Sequence, residues 1–201
     1  VRVYFGVIAA SALVIAFNVR HMFGSIWESL HHALFQVGSI ITTTGFSTVD
    51  FNQWPALSKG VLVTLMFIGA CAGSTGGGIK CSRIVLMYKS IKKEMQVLIH
   101  PRAVRVNKID GHRVQHEVMR SVNVFLVAYL IIFALSVLLL CISNEDLVTN
   151  FTAVAATLNN IGPGLNMVGP VSNFGFFDPF SKLVLMFDML AGRLELFPML
   201  L

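Results

Sequence analysis

Residues 42–48, "TTTGFST", form a polar, glycine-bearing turn inside a chain that is 55% hydrophobic and only 12% charged. Upstream lie an apolar run, "VYFGVIAASALVIAFNV" (3–19), and a short amphipathic helical segment (25–41). Downstream come a loop, "VDFNQWPAL" (49–57), and an apolar run from Ser58. The same order returns later. An apolar run (118–142) precedes a short helical segment (145–158), the turn "NNIGPGL" (159–165), the loop "NMVGPVSNFGFFDP" (166–179) and an apolar run from Ser181. The last runs start alike, "SKGVLV" and "SKLVLM", and laying Ser58 on Ser181 puts Gly69 on Gly192. A repeat of this kind takes precedence in any reading of a fold.

Composition places the repeat in a membrane. Soluble domains are about 25% charged, and a mean hydropathy of +0.75 points away from them. The runs at 3–19 and 118–142, with those at 57–69 and 180–201, read as spanning segments of a multi-pass protein, since a bilayer needs roughly 17–25 helical residues. The first run lacks the cleavage site of a signal peptide. With no initiator Met and a last run that stops at "FPMLL", the chain reads as part of something longer. Cys71, Cys81 and Cys141 have no metal-ligand spacing and read as small buried thiols. The histidines, His31–His32 and His112/His116 included, read as polar surface.

Charge is concentrated. Residues 80–120 hold ten Lys/Arg against three acids, and the rest of the chain holds five against seven. A basic loop between spans is the positive-inside signature. The loop 89–117 is therefore predicted to be cytoplasmic and a candidate contact for a protein partner. Its tether between two spans argues against nucleic-acid binding.

The short helices cannot cross, and each ends in an irregular turn. Irregular backbone at membrane depth is tolerated where it is packed in protein or lines a wet cavity. A dipping half-helix followed by a turn with free carbonyls is how a cation filter is built, the carbonyl oxygens replacing the ion's hydration shell. The negative end of the helix dipole faces the ion, and Gly45 and Gly162 permit the backbone angles that align successive carbonyls. Acidic Glu145 and Asp146 suit the second helix start, and Glu28 is a weaker counterpart in the first. One such turn is an ordinary helix-ending loop; two in equivalent places favour a pore.

A second irregular stretch, "GACAGSTGGGIK" (69–80), interrupts the apolar run that starts at Leu57. As a phosphate-binding loop it fails: counted from Gly73, the second glycine lands on Gly78, but Ile79 displaces Lys80, and Cys81 replaces the hydroxyl. Each helical glycine costs about 1 kcal/mol relative to alanine, so five of them predict a broken helix. Ser74 and Thr75 can then satisfy freed backbone groups. Close helix packing through Gly69 and Gly73 is the plainer alternative, but it leaves three consecutive glycines unexplained. The equivalent stretch, "MLAGRLELF" (189–197), continues as helix and carries Arg193; a charge within a span is functional by default. Asp188 is five residues from Arg193, off the helix-neighbour spacing, and Glu195 suits a solvated helix end.

"TTTGFST" with "FNQWP", then "GACAGSTGGGIK", "ATLNNIGPGL" and "MLAGRLELF", in that order across essentially the whole chain, resemble the Trk/Ktr/HKT superfamily of potassium transporters, nearest its bacterial TrkH-type subunits. The resemblance implies an all-α integral membrane fold of repeated span–pore helix–filter turn–span units around a central ion pore. This chain would supply the third repeat (1–88, its second span broken at a gate loop, 69–78), a basic cytoplasmic linker (89–117) and the fourth repeat (118–201). Carbonyls of Thr43, Thr44, Gly45 and Phe46, and of Asn160, Ile161, Gly162 and Pro163, would bind the potassium ion, glycine in both turns favouring potassium over sodium. The gate would comprise Gly69, Gly73, Ser74, Thr75, Gly76, Gly77, Gly78, Lys80 and Arg193. The resemblance also implies a homodimer in the lipid bilayer of the bacterial inner membrane, channel-like or a symporter, governed by a cytoplasmic nucleotide-binding regulatory subunit (TrkA-like). A non-enzyme is expected. An enzyme acting on a phosphate-bearing substrate at the glycine stretch needs a nucleophile or paired carboxylates that the sequence does not offer, and a purely structural subunit leaves the duplicated turns unexplained.

Overall fold

A computed structural model of the chain describes residues 2–71, 74, 76–99, 108–109, 112–113 and 116–193. Helices α1 (Arg2–Val19), α2 (Ile26–Ile41) and α3 (Ala56–Phe67) form the first unit. Two short strands, β1 (Ile68–Gly69) and β2 (Ile79–Lys80), lead into α4 (Cys81–Ile99). The pair β3 (Lys108–Ile109) and β4 (His112–Arg113) precedes the second unit, α5 (His116–Leu140), α6 (Leu147–Leu158) and α7 (Pro179–Arg193).

At 1.5 Å per residue α1 and α5 run about 27 and 37 Å, and both are long and apolar enough to cross a bilayer. Helix α5 is apolar around its circumference. Val127, Leu130, Leu135 and Leu138 are exposed outward while Val122, Phe125, Tyr129 and Leu140 are buried, the pattern of a membrane helix rather than a surface one. The run from Leu57 leaves the helix at Phe67, just ahead of the glycine stretch that marks its break in the sequence. Helix α3 has 12 residues, about 18 Å, too few to cross alone, and the chain turns up again as helix only at Cys81.

Within the first unit Ala12, Ile15, Ala16 and Val19 of α1 interlock with Ala33, Val37, Ile40 and Ile41 of α2 and with Leu62, Leu65 and Met66 of α3. In the second, Leu140 packs with Ala153, Val154, Val168, Phe177 and Leu185. An aromatic ladder joins the two units. Phe125, Tyr129 and Phe133 stack at 6.2 and 6.4 Å along α5, four residues apart. Phe133 meets Phe67, the last residue of α3, at 5.4 Å and Phe151 of α6 at 5.1 Å. At the other end the Arg83 guanidinium of α4 lies 4.1 Å over the Phe125 ring, a cation–π contact.

The short helices are capped from side chains. Ser25 accepts from the Trp27 N–H at the start of α2, so the cap is Ser25 and Glu28 sits in the first turn behind it. Asp146 accepts from the Thr149 N–H at the start of α6. Beyond the turns, the two loops are tied by a reciprocal amide pair. Asn52 Nδ2 donates to the Asn166 carbonyl at 2.9 Å, and the Asn166 N–H donates to Asn52 Oδ1 at 2.9 Å. Asn166 holds a left-handed φ of 54° to do so. Asn52→Ala removes both bonds, and at about 0.5–1.5 kcal/mol each it is expected to lower the melting temperature of the detergent-solubilised protein by a few degrees.

Candidate functional site

Helix α2 ends through three successive backbone bonds. Thr42, Thr43 and Thr44 N–H donate to the Gly38, Ile40 and Ser39 carbonyls at 3.0, 3.1 and 2.9 Å. Helix α6 ends identically 117 positions later, with Asn159, Asn160 and Ile161 N–H donating to Ala155, Thr157 and Ala156 at 3.2, 3.0 and 2.8 Å. Past each helix end the backbone alternates in handedness, in the same way in both copies. Thr43 and Asn160 are left-handed at φ 57° and 53°, and Gly45 and Gly162 are left-handed at 79° and 115°. Asparagine tolerates that region, whereas a β-branched threonine does not, so Thr43 carries strain of order 1–3 kcal/mol against its three helix-ending bonds. The two turns share this alternation as well as their helix-ending bonds.

The two turns touch. A Cβ at Gly45 would collide with the Ile161 carbonyl oxygen and lie 3.3 Å from Pro163 Cδ. Each turn is held by its own helix. Ser39 Oγ donates to the Phe46 carbonyl at 2.6 Å, so that carbonyl is partly engaged. Gln36 Nε2 donates to Ser47 Oγ and the Val49 carbonyl at 2.7 and 3.2 Å, and Thr152 Oγ1 accepts from the Leu165 N–H at 3.0 Å. A cavity of about 650 Å³ borders the second turn, with Asn160, Ile161 and Gly162 on one side and Phe174, Met186 and Met189 on the other.

The glycine stretch lies against the base of both turns. Strands β1 and β2 pair in parallel, Ile68 with Ile79 and Gly69 with Lys80, closing a neck. Three glycines beyond it are explained one by one. A Cβ at Gly76 would come within 3.1 Å of Thr43 Oγ1; at Gly77 it would collide with the Asn159 carbonyl oxygen; at Gly78 it would sit 2.8 Å from Asn159 Oδ1 on a backbone already at φ 79°. A Cβ at Gly69 would lie only 2.5 Å from the Gly77 carbonyl oxygen. Ser74 is exposed and its Oγ accepts from the Gly76 N–H at 3.1 Å. Lys80 lines a small cavity with Gly76, Gly78, Tyr129 and Gly192. Gly73 and Thr75 lie outside the described residues, as does Glu195.

Arg193 is exposed at the end of α7, next to Gly192, whose absent Cβ lets the helix seat on the Leu158 carbonyl beneath the second turn. Asp188, on the same helix, is fully buried and accepts from Ser136 Oγ of α5 at 2.6 Å; its partner is across the helix pair, not along α7. The sequence reading missed the brackets Gln36, Ser39 and Thr152. Their signal was present: polar residues on the buried faces of otherwise apolar short helices. It also missed Asn160 Nδ2, which donates to the Met189 carbonyl at 3.0 Å and ties the second turn to α7. Among the described residues no group of three or more His, Cys, Asp or Glu could hold a metal.

Two copies of a span, a half-helix, a carbonyl-bearing turn and a second span, packed turn to turn, define an integral membrane protein of the duplicated pore-helix class. The family model for TrkH, described as "Cation transport protein", matches residues 5–201. The chain is 38% identical over 200 residues to the Trk system potassium uptake protein TrkH of Escherichia coli K12, and 42% identical over 182 residues to that of Vibrio parahaemolyticus. These alignments cover 100% and 90% of this chain, and 41% and 37% of those proteins. The Escherichia coli protein TrkG is 34% identical over 98% of the chain. The crystal structure of the potassium transporter TrkH from Vibrio parahaemolyticus superposes with a TM-score of 0.91 at 40% identity, over 99% of this chain and 42% of that one. The chain belongs to the TrkH family of cation transport proteins, and spans about two fifths of the length of these relatives.

Hydrogen bonds from Asn166 and Thr149 hold the Asp146 carboxyl below the usual carboxylate range. A folded-state pKa below the unfolded value of about 3.9 stabilises the fold above that pH, and the contribution is lost as pH falls through the folded value. Melting temperatures recorded between pH 7 and pH 3 are therefore expected to fall at the acid end, and to fall less steeply for Asp146→Asn.

Proposed function

We propose that this chain forms two of the walls of a potassium pathway through a bacterial inner membrane, used for potassium uptake. The observation that carries the reading is the pair of facing turns: the same helix-ending bonds 117 positions apart and the same left-handed alternation at Thr43/Gly45 and Asn160/Gly162. Carbonyls of residues 43–46 and 160–163 are the ion ligands, each turn sitting at the negative end of a short helix. The relatives named for potassium uptake support the choice of ion.

On this reading the glycine stretch is the gate. It lies below both turns, its glycines fit against Thr43 and Asn159, and displacing it opens the way to the cytoplasm. Arg193 adds an electrostatic barrier at the same depth. The basic segment 89–117 faces the cytoplasm and receives a nucleotide-binding regulatory subunit of the TrkA kind, and the transporter works as a homodimer, without enzymatic activity. An enzyme acting on a phosphate-bearing substrate finds no support in the described residues, where the glycine loop cradles a carbonyl and not an anion site.

Three measurements of potassium flux in the full-length protein test this. Shortening residues 74–78 is expected to raise flux, and unchanged flux at normal expression removes the gate role. Arg193→Ala is expected to raise conductance; a fall contradicts the barrier. Gly45→Ala, strained at φ 79° and colliding with Ile161, is expected to lower potassium flux at least tenfold or to erode preference over sodium.

A further inference from the structure

We propose that the buried Tyr129–Asn159 hydrogen bond is the latch that seats the glycine loop beneath the second turn, and that releasing it raises ion flux without changing which ion passes. The inference rests on the gate reading above and adds to it a positioning pair on α5 and α6, neither member of which lies among the proposed ion ligands or in the loop.

Asn159 closes α6 and is fully buried. Its Nδ2 donates to the Ala155 carbonyl at 2.7 Å, which fixes the amide's orientation and turns Oδ1 away from its own helix. That oxygen accepts the Tyr129 hydroxyl at 3.0 Å. The same residue meets the loop twice: its backbone carbonyl packs on Gly77 and its Oδ1 packs on Gly78, where no Cβ fits. One residue is thus clamped from behind by α5 and α6 and meets two successive glycines, Gly77 with its backbone carbonyl and Gly78 with its amide oxygen.

Tyr129 is itself immobilised. It is 2% exposed and stacked between Phe125 and Phe133. That ladder also holds the two ends of the broken span, Phe67 before the loop and Arg83 after it. The loop's two anchors and its seat therefore share one support. The first unit supplies an internal control. The residue at the place of Asn159 is Thr42, whose Oγ1 donates to the Gly38 carbonyl of its own helix at 2.7 Å and pairs with Thr44 Oγ1. A buried acceptor stripped of its donor must find another or swing away, and any swing of the Asn159 amide alters the surface on which Gly78 rests.

The test is a double-mutant cycle on potassium flux, with sodium competition as the second readout, in the full-length protein reconstituted in vesicles. Tyr129→Phe keeps the ring and deletes the hydroxyl. It is expected to raise flux about two- to tenfold, the factor set by one net hydrogen bond, with potassium-over-sodium preference unchanged. In the background shortened at 74–78 the same substitution is expected to add nothing, because the latch acts through the loop. Gly78→Ala, which crowds Asn159 Oδ1 from the loop side, is expected to raise flux as well and provides a second route should Tyr129→Phe fold poorly. Unchanged flux in both variants, with raised flux on loop shortening, overturns the latch and leaves the gate standing. Raised flux with altered sodium competition overturns it too, since Tyr129 is then a prop for the turn. No effect of loop shortening removes the gate and the latch together.

Discussion

Each short helix ends by donating three backbone N–H groups of the turn back into its own last carbonyls, and everything specific to this protein hangs from that closure. With it the backbone takes a left-handed angle at Thr43 and Asn160, and again at Gly45 and Gly162, in the same order in both copies. A helix that merely frayed at residue 41 or 158 would leave the same sequence as a disordered loop. The bonds are short-range and local, yet they persist at Thr43, where the side chain opposes them. What keeps them is packing from outside: Gln36, Ser39 and Thr152 pin the outgoing strands to the helices they leave, and the neighbouring turn fills the space where a side chain at Gly45 would stand.

The repeat, the spans and the half-helices were legible because their signals are periodic or compositional. A run of apolar residues, a cap residue such as Ser25 or Asp146 and a glycine after a polar triplet each announce themselves locally. Helix α3 illustrates the limit. The glycines after it mark a break at 69–78, but the backbone leaves the helix at Phe67, before the first of them, where Ile68 and Gly69 pair with Ile79 and Lys80. Such a pairing joins residues 11 apart across a loop and has no periodic trace.

The polar brackets, the Asn52–Asn166 pair and the Asp188–Ser136 bond belong to the same category. Each joins residues separated by anything from 7 to 114 positions, and each becomes visible only when two elements are laid side by side. The three consecutive glycines show the distinction well. Sequence could say that they disfavour a helix; it could not say that each faces a different obstacle, a threonine hydroxyl, a backbone carbonyl and an amide oxygen.

The closed neck has a mechanical consequence. Because β1 and β2 pair directly, and the Cys81 N–H also donates to the Ala70 carbonyl at 3.2 Å, α3 and α4 are coupled across the break as if they were one rod. Tension applied at the far end of α4 is delivered to those few bonds at the throat rather than dissipated along the residues of the loop. A short, brittle linkage of this sort responds to load by yielding abruptly, so a pull on α4 breaks the neck in one step instead of stretching it gradually.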